Sequence, residues 1–289
     1  MYNPLFYVNY ITMKNLIFIL LIPLLLSSCS NDDEPVPDVY SQVAEISNGE
    51  SSRNIYYDDY GRVTEYVVTF RDETVKSTYT YISDDLIKIY TENILHGFLI
   101  GEDAVTEYED ELHLENGRAK YCDGIYSTNK FGEGILFQKK YKHEFTYTSD
   151  NHLNVIKNTE WNKKGDSWAY DRPWSWENYY IWENNNLISV EDCNGKQTPQ
   201  YIYNYSYSSI SGVQNILAVH YGRFQYFPLQ LKGYFGSQPQ NLIIGIENIS
   251  PDTPTTKTSY EYNIQDNKIT DYTETRGGNT TNYSVRWVE

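Results

Sequence analysis

The stretch Tyr260-Glu261-Tyr262-Asn263-Ile264-Gln265-Asp266-Asn267-Lys268-Ile269 contains the pattern that repeats along this chain and decides its fold. Tyrosines occupy alternate positions, an Asp-Asn pair follows, and an aliphatic residue comes next. Alternation with a period of two places one set of side chains on each face of a β-strand. Because Asp and Asn tolerate the positive backbone angles of a tight turn, the stretch predicts a β-hairpin.

The same arrangement of aromatic residues, a polar turn and an aliphatic strand recurs through the chain. Its other copies centre on Asp58-Asp59, Asp84-Asp85, Asp150-Asn151 and Asn184-Asn185-Asn186, and further turns are predicted at Asn116-Gly117, Asn194-Gly195 and Gly277-Gly278. Strands joined by short turns in sequence order form an antiparallel meander, and a long sheet avoids exposed edges by curling towards closure. We therefore predict an all-β fold, a long up-and-down antiparallel meander curling into a soluble barrel-like sheet.

The segment from Ser208 to Asn248 interrupts this regular spacing. Its leucines and aromatic residues lie among Gly212, Gly222, Gly233 and Gly236, and the turn signals lose their periodicity. A segment of this kind predicts a longer loop, or a short helix that packs over one end of the sheet.

The N-terminal residues predict processing and lipid attachment. An apolar run from Leu16 to Leu26 follows Met13-Lys14 and ends at Ser27-Ser28-Cys29. The run is shorter than the ~20 residues that a membrane-spanning helix needs, and small residues and a cysteine end it. This pattern resembles the lipoprotein signals of diderm bacteria, which implies a lipidated Cys29.

Three regions follow from this interpretation. Residues 1–28 are expected to be a signal peptide whose true start is Met13, residues 29–50 an acidic flexible tether, and residues 51–289 a single antiparallel β domain. The acidic stretch after Cys29 resembles that of lipoproteins exported to the outer face of the outer membrane. We expect outer-membrane anchoring at the cell surface, with the periplasmic face as the alternative.

The composition limits the class of partner. The chain has 23 Lys and Arg against 39 Asp and Glu, a formal net charge of −16. Binding to phosphate backbones requires clustered cations, so no nucleic-acid partner is expected. The five histidines lack metal-ligand spacing, and no metal site or cofactor is predicted. If Cys29 is lipidated, two cysteines remain, Cys122 and Cys193. They either form a disulfide or, as we favour, stay reduced as two buried thiols.

Tryptophan clustering supplies the candidate ligand site. Five of the six tryptophans lie between Trp161 and Trp182. Aromatic faces stack on sugar rings and neighbouring carboxylates bind hydroxyl groups, which predicts a glycan site. Its residues are Trp168, Trp174, Trp176, Asp171 and Glu177. In the alternative interpretation, Trp174, Trp176 and Trp182 alternate along a strand and pack inside the barrel.

Two further resemblances concern the fold. One stretch resembles the repeat of tyrosine-aspartate repeat proteins, which build β-shells from hairpins. It is Tyr57-Asp58-Asp59-Tyr60-Gly61-Arg62-Val63. From about residue 50 to its end, the chain resembles uncharacterised lipoprotein domains of gut-type diderm bacteria that are described as having a porin-like fold. The resemblance implies a barrel-like antiparallel sheet, with no assigned activity and no functional residue to carry over.

Taken together, these observations predict a lipid-anchored envelope protein that is not an enzyme and acts as a binding or interaction module. The expected partners are outer-membrane lipid, through Cys29, and a polysaccharide or surface protein. One alternative is a hydrolase acting on a polysaccharide, which would need converging carboxylates in a cleft. Another is a structural subunit of a surface complex.

Overall fold

The computed structural model describes residues 42–99, 102–130, 134–170, 175–193, 199–217 and 223–288. The sheet contains seventeen strands in these ranges. They are β1 (Val43–Ser47), β2 (Ser51–Tyr57), β3 (Val63–Phe70), β4 (Glu73–Ser83), β5 (Leu86–Leu99), β6 (Glu102–Glu115), β7 (Arg118–Lys130), β8 (Gly134–Tyr147), β9 (Leu153–Lys164), β10 (Ser167–Tyr170), β11 (Trp176–Glu183), β12 (Asn186–Cys193), β13 (Tyr201–Ser211), β14 (Asn241–Ser250), β15 (Thr253–Gln265), β16 (Lys268–Arg276) and β17 (Asn279–Trp287).

The sheet closes on itself. The strands pair antiparallel in an up-and-down order, and β1 also pairs with β17, for example Ile46 with Val285. Strands β10 and β11 pair with the same edge of β9, at Trp161–Lys164 and Val155–Asn158, and therefore share one place in the ring. The result is a closed barrel of sixteen strand positions. The predicted all-β meander with a barrel-like sheet is confirmed.

The β structure begins earlier than the boundary predicted at residue 51. Strand β1 lies within residues 29–50, the range expected to be a tether, and it completes the ring by pairing with β2 and β17. Val43 and Ile46 face the core and are 1% and 3% exposed. The apolar residues Val43, Ala44 and Ile46 of this short segment are buried against the sheet, which outweighs its acidic and polar neighbours. Cys29 and residues 1–28 lie outside the described residues.

The predicted turn chemistry is visible in the backbone. Asn116, Asn151, Asn185, Asp266 and Asn267 all have positive φ angles. Asn194-Gly195 lies outside the described residues. In the Tyr57–Val63 hairpin, Asp58 Oδ1 accepts hydrogen bonds from the backbone N–H groups of Tyr60 and Arg62. The Asp side chain therefore sets the turn, and short polar turns of this type fix the strand register.

Between β13 and β14, residues 212–217 and 223–240 form an internal plug. It contains a 3-10 turn at Phe224–Tyr226 and a five-residue helix, α1 (Phe227–Leu231). The sequence predicted a loop or short helix packed over one end of the sheet, whereas the plug enters the barrel interior. Leu229 and Phe235 are 0% and 1% exposed, because the inner faces of the strands surround them.

The plug joins one end of the barrel, here called the capped end. Backbone N–H groups of Ser237 and Gln240 donate to the carbonyls of Asn151 and Asn185, which belong to the β8–β9 and β11–β12 turns. The opposite end, which includes the β3–β4, β14–β15 and β16–β17 turns, is called the distal end. No helix in the described part of the chain has the length and apolar character needed to cross a bilayer.

Candidate functional site

The first wall of the interior is the plug wall, formed by inward residues of β6 to β9. Cross-strand pairing places Asp110, Gly124, Tyr141 and Glu160 in one inward row. Asp110 and Glu160 are 2% and 7% exposed. Buried carboxylates require partners, and the plug supplies several of them.

Asp110 accepts three hydrogen bonds. The donors are the hydroxyl of Tyr141, Gln225 Nε2 at 3.0 Å and the hydroxyl of Tyr226 at 3.2 Å. Burial raises the pKa of Asp110, while the Arg223 charge and the three donors oppose that rise. Two of the three donors come from the plug, so this carboxylate fixes the plug to the strands.

Arg223 brings a cation from the plug into the same cluster. Its guanidinium carbon lies 3.6 Å from the ring centre of Tyr141 and 5.3 Å from that of Tyr108. One of its terminal nitrogens, Nη2, lies 3.8 Å from Glu160, and the ammonium of Lys139 lies 3.4 Å from the other Glu160 oxygen. Aromatic faces and carboxylates together compensate for the desolvation of a cation. The cluster therefore contains two cations and two anions and leaves little net charge.

His143 completes the plug wall. Its ring makes edge contacts with Tyr141 at 5.1 Å and with Trp176 at 5.7 Å. Burial, followed by the Arg223 charge, lowers the pKa of His143 well below its usual range. Cys122 on the neighbouring strand is fully buried, and burial raises the pKa of its thiol. Both groups are neutral structural elements of the interior.

The second wall is the cavity wall, formed by inward residues of β13 to β17. Tyr260, Tyr262, Tyr272 and Tyr283 pack together on it, and the rings of Tyr272 and Tyr283 stack with centroids 4.7 Å apart. Tyr262 is anchored by donating its hydroxyl to the carbonyl of Ile243. Offset aromatic contacts of this kind produce a rigid, amphipathic surface.

A cavity of about 1030 Å³ lies against this wall towards the distal end. Its lining includes one complete inward row, Tyr205, Ile246, Thr258, Arg276 and Asn279, paired in that order across β13 to β17, together with intervening residues whose side chains point outward, among them Ser206, Gly245, Glu247 and Lys257. The volume is at the upper limit of the range of about 300–1,000 Å³ that is common for small-molecule sites. Hydroxyl, amide and guanidinium groups lie in this lining beside one aromatic ring, that of Tyr205.

The five predicted ligand residues do not form one surface. Trp176 faces the interior, opposite Asn158, and packs against the core and His143. Glu177 faces outward, where its carboxylate accepts a hydrogen bond from Tyr179 and lies 3.8 Å from Lys157. Trp168 also faces outward, opposite Lys163. Trp174 and Asp171 lie outside the described residues. The alternative interpretation holds for Trp176 and for Trp182, whose indole N–H donates to the carbonyl of Leu153.

The remaining predictions concern cysteine and metal. Cys122 and Cys193 are both free and buried, which confirms the favoured interpretation of two thiols. Pairing places Cys122 on the inner face and Cys193, opposite Glu177, on the outer face. Within the described ranges, no group of three or more His, Cys, Asp or Glu side chains is arranged to hold a metal ion.

The sequence argument missed the arginines of the interior. Arg276 follows Tyr272 by four residues, so the alternation that assigns the tyrosine to the inner face assigns the arginine there too. Arg53 shares its face with Ile55 in the same way. Arg223 had no comparable signal, because it lies in the plug, where no strand period applies.

The outer face carries charges around the whole ring. Four ion pairs join directly opposed outward residues on neighbouring strands: Lys88 with Glu111, Lys157 with Glu177, Lys257 with Glu247 and Arg286 with Glu45. Lys76 with Glu65 and Lys142 with Glu144 add two more. A lipid-facing barrel presents an apolar band ~25 Å tall instead.

These features define a closed up-and-down β-barrel with an internal plug and a cavity. Solved structures with a similar overall fold exist. A porin-like protein from Bacteroides vulgatus ATCC 8482 is similar with a TM-score of 0.53 and 13% sequence identity, covering 85% of this chain and 98% of that one. A porin-like protein from Bacteroides uniformis ATCC 8492 has a TM-score of 0.50 and 12% identity, covering 86% and 95%.

The likeness at these identities is one of fold, and it confirms the porin-like architecture that the sequence resemblance implied. No protein-family model matches the chain. No curated protein matches it either.

Proposed function

We propose that the protein is a lipid-anchored binding protein of the bacterial outer membrane, displayed at the cell surface, which takes an oligosaccharide into its barrel from the distal end. The observation that carries the proposal is the cavity of about 1030 Å³, whose lining includes Tyr205, Thr258 and Asn279. Tyrosine faces stack on pyranose rings, and Thr258 and Asn279 supply groups that hydrogen-bond sugar hydroxyls.

The outer face supports a barrel that stands outside the hydrocarbon of the membrane. Charged pairs such as Lys88–Glu111 and Lys257–Glu247 would be costly against lipid. Anchoring then depends on the lipid on Cys29, which holds a protein at a membrane without a spanning segment. The acidic residues that follow Cys29 are the reason for proposing the outer surface.

A non-enzymatic role is supported by the state of the buried carboxylates. Asp110 and Glu160 are covered by the plug and held by its donors, so a substrate meets neither of them while the plug is in place. A hydrolase needs its two carboxylates at the scissile bond. Incubation of the protein with any oligosaccharide that it binds, followed by chromatography, is expected to return the oligosaccharide intact.

Binding is tested with the purified full chain and a panel of oligosaccharides in isothermal titration calorimetry. Thr258→Trp fills the cavity and is expected to lower affinity at least 10-fold, while Glu261→Trp, on the outer face of the same strand, leaves it unchanged. If no oligosaccharide binds, or if both variants bind as the parent does, the lumenal site is wrong.

Anchoring is tested separately. Fatty-acid labelling of cells expressing the full chain is expected to mark the protein and to be lost in Cys29→Ser. Protease added to intact cells is expected to degrade the lipidated protein. Labelling without protease sensitivity would place the anchor on the periplasmic face instead.

A further inference from the structure

Charges of opposite sign are separated on the outer face of β5 to β9, a surface that we call the divided face. Neighbours along a strand alternate between the two faces of the sheet, so the inward row of the plug wall fixes which side chains point outward. The outward side chains of β5 and β6 include the carboxylates Glu92, Glu107, Glu109 and Glu111. Those of β8 and β9 include the ammonium groups Lys140, Lys142 and Lys163. Strand β7 lies between the acidic half and the basic half.

The acidic half is repulsive within the barrel itself. Glu92 and Glu107 are directly opposed on β5 and β6, and like charges in this position destabilise a sheet. The charges of opposite sign in the two halves, Lys88 and Glu144, lie nearer the capped end and pair within their own half. The remaining carboxylates would be stabilised by cations that a partner brings to this half.

One outward row runs through both halves and is close to symmetric about its central residue. It consists of Tyr90, Glu109, Ile125, Lys140 and Trp161, paired in that order across β5 to β9. Tyr90 is 41% exposed. From the isoleucine outwards, a carboxylate on one side corresponds to an ammonium group on the other, and a phenol then corresponds to an indole.

We infer that two copies of this chain associate through the divided face, about a two-fold axis that runs along the barrel beside Ile125. A two-fold interface is self-complementary, because each patch meets its counterpart on the other copy. Rotation about this axis exchanges the acidic and basic halves, so Glu109 of one copy meets Lys140 of the other. Tyr90 then meets Trp161, and the two Ile125 side chains meet at the axis. Opposed charges and aromatic contacts both favour such a pairing.

The next outward row towards the capped end has the same symmetry. It places Glu111 and Lys142 on either side of Asp123. The same rotation therefore brings Glu111 of one copy to Lys142 of the other. Asp123 lies near the axis, where its directly opposed neighbour Lys142 offsets the approach of the two aspartates.

The direction of the axis also suits two anchored copies. The chain enters the barrel at the capped end, because Val43 begins β1 and pairs with Trp287 at the end of β17. A two-fold axis along the barrel keeps both capped ends on the same side, where the lipids proposed on Cys29 would reach one membrane. An axis across the barrel would place like charges together and point the capped ends in opposite directions.

A second copy fits the divided face better than an anionic surface does. A membrane of anionic lipid would be attracted by Lys140 and repelled by Glu109, which lies only two strands away. Two strand spacings amount to ~10 Å, within the range of charge interactions at low salt. A second copy offers the opposite charge to both halves at once.

Charge reversal tests the pairing by sedimentation equilibrium of the full chain in density-matched detergent. The wild type is expected to dimerise, less strongly as salt rises. Glu109→Lys and Lys140→Glu are each expected to weaken dimerisation at least 10-fold, and the double variant is expected to restore it, because both pairs re-form with reversed polarity. Glu261→Lys, the same change on the exposed outer face of β15, serves as the control with no effect.

Cross-linking tests the position of the axis in cells that express the full chain. In Ile125→Cys, a short bismaleimide is expected to join two copies, because the two thiols lie beside the axis. Glu261→Cys is expected to stay monomeric under the same treatment. The native Cys122 and Cys193 are buried and give little background.

Three results would overturn the inference. The first is a wild type that is monomeric at every concentration; vesicle binding by Cys29→Ser that Lys140→Glu abolishes would then assign this face to an anionic membrane. The second is a dimer that neither charge reversal weakens. The third is a double variant as weak as the single ones, which would mean that Glu109 and Lys140 do not meet. None of these results depends on whether the barrel binds an oligosaccharide.

Discussion

The plug wall and the cavity wall use the same residue types to different ends. On the plug wall, Arg223 lies against the ring of Tyr141 and close to Glu160, and its charge also acts on Asp110. The plug that carries Arg223 packs against this wall inside the barrel. On the cavity wall, Arg276 is exposed, lies in the row that lines the cavity of about 1030 Å³, and forms no ion pair with another described residue. Compensated buried charges thus hold the plug in place on one wall, whereas the cation of the other wall is exposed to solvent.

The largest effect is expected from removing the plug cation. Arg223→Gln removes the cation beside Asp110 and leaves Glu160 with Lys139 alone, and breaking a buried pair of this kind costs about 3–5 kcal/mol. Urea unfolding of the full chain measures the loss. The matched variant Arg276→Gln is expected to change the free energy of unfolding by less than about 0.5 kcal/mol. Equal losses in the two variants would contradict the distinction between the walls.

A smaller effect is expected at Gly124. A Cβ at this position would overlap the ring of Tyr141 and the carboxylate of Asp110, because the tyrosine crosses the glycine to reach the aspartate. Gly124→Ala is expected to cost about 1–3 kcal/mol by overpacking. In a double-mutant cycle, the same substitution costs less in a Tyr141→Leu background, where the ring is absent. An unchanged cost would show that the ring is not the obstacle.

The plug wall should also make stability depend on pH. In the folded protein, the pKa of His143 lies well below its usual range. The stability that the neutral imidazole contributes is therefore complete above the pKa of about 6.5 that histidine has in the unfolded chain, and it is lost as the pH falls from there towards the folded-state pKa. In that window the slope reaches at most ~1.4 kcal/mol per pH unit. His143→Gln is expected to flatten the stability profile between pH 7 and pH 5.

Two features separate this slope from other contributions. Burial raises the pKa of Asp110, so its contribution acts in the opposite sense: stability falls as the pH rises from about 4. Because Asp110 is present in both the wild type and His143→Gln, its contribution is the same in the two proteins. Phe145→Leu, on the same wall, is expected to lower stability at every pH without altering the slope. A slope that persists in His143→Gln would assign the titration to another group.

The smallest effect is expected on the outer face. Lys88 and Glu111 are directly opposed, 2.9 Å apart and about half exposed. Exposed ion pairs contribute about 0.2–1 kcal/mol, less at high salt. A double-mutant cycle with Lys88→Ala and Glu111→Ala is expected to give a coupling energy below 1 kcal/mol. A value as large as the Arg223→Gln loss would mean that the surface pairs, rather than the plug cluster, stabilise the barrel.

The sequence predicted the hairpins because their information is local. Residues Tyr260 to Ile269 alternate and then turn at Asp266-Asn267, and the structure has the same alternation and positive φ angles at both turn residues. The signal for a site was weaker. The tryptophans were grouped by their closeness in sequence, although adjacent strand residues such as Trp176 and Glu177 lie on opposite faces of the sheet.

The sequence by itself determined the strands, their turns and the alternation that assigns each strand residue to a face, because these depend on neighbours within about ten positions. Only the tertiary structure decided that β1 closes the ring with β17 and that Gln225 and Tyr226 of the plug bind Asp110 inside the barrel. These contacts join residues more than a hundred positions apart. Their selection depends on volume and charge compensation inside the closed barrel, which no local pattern encodes.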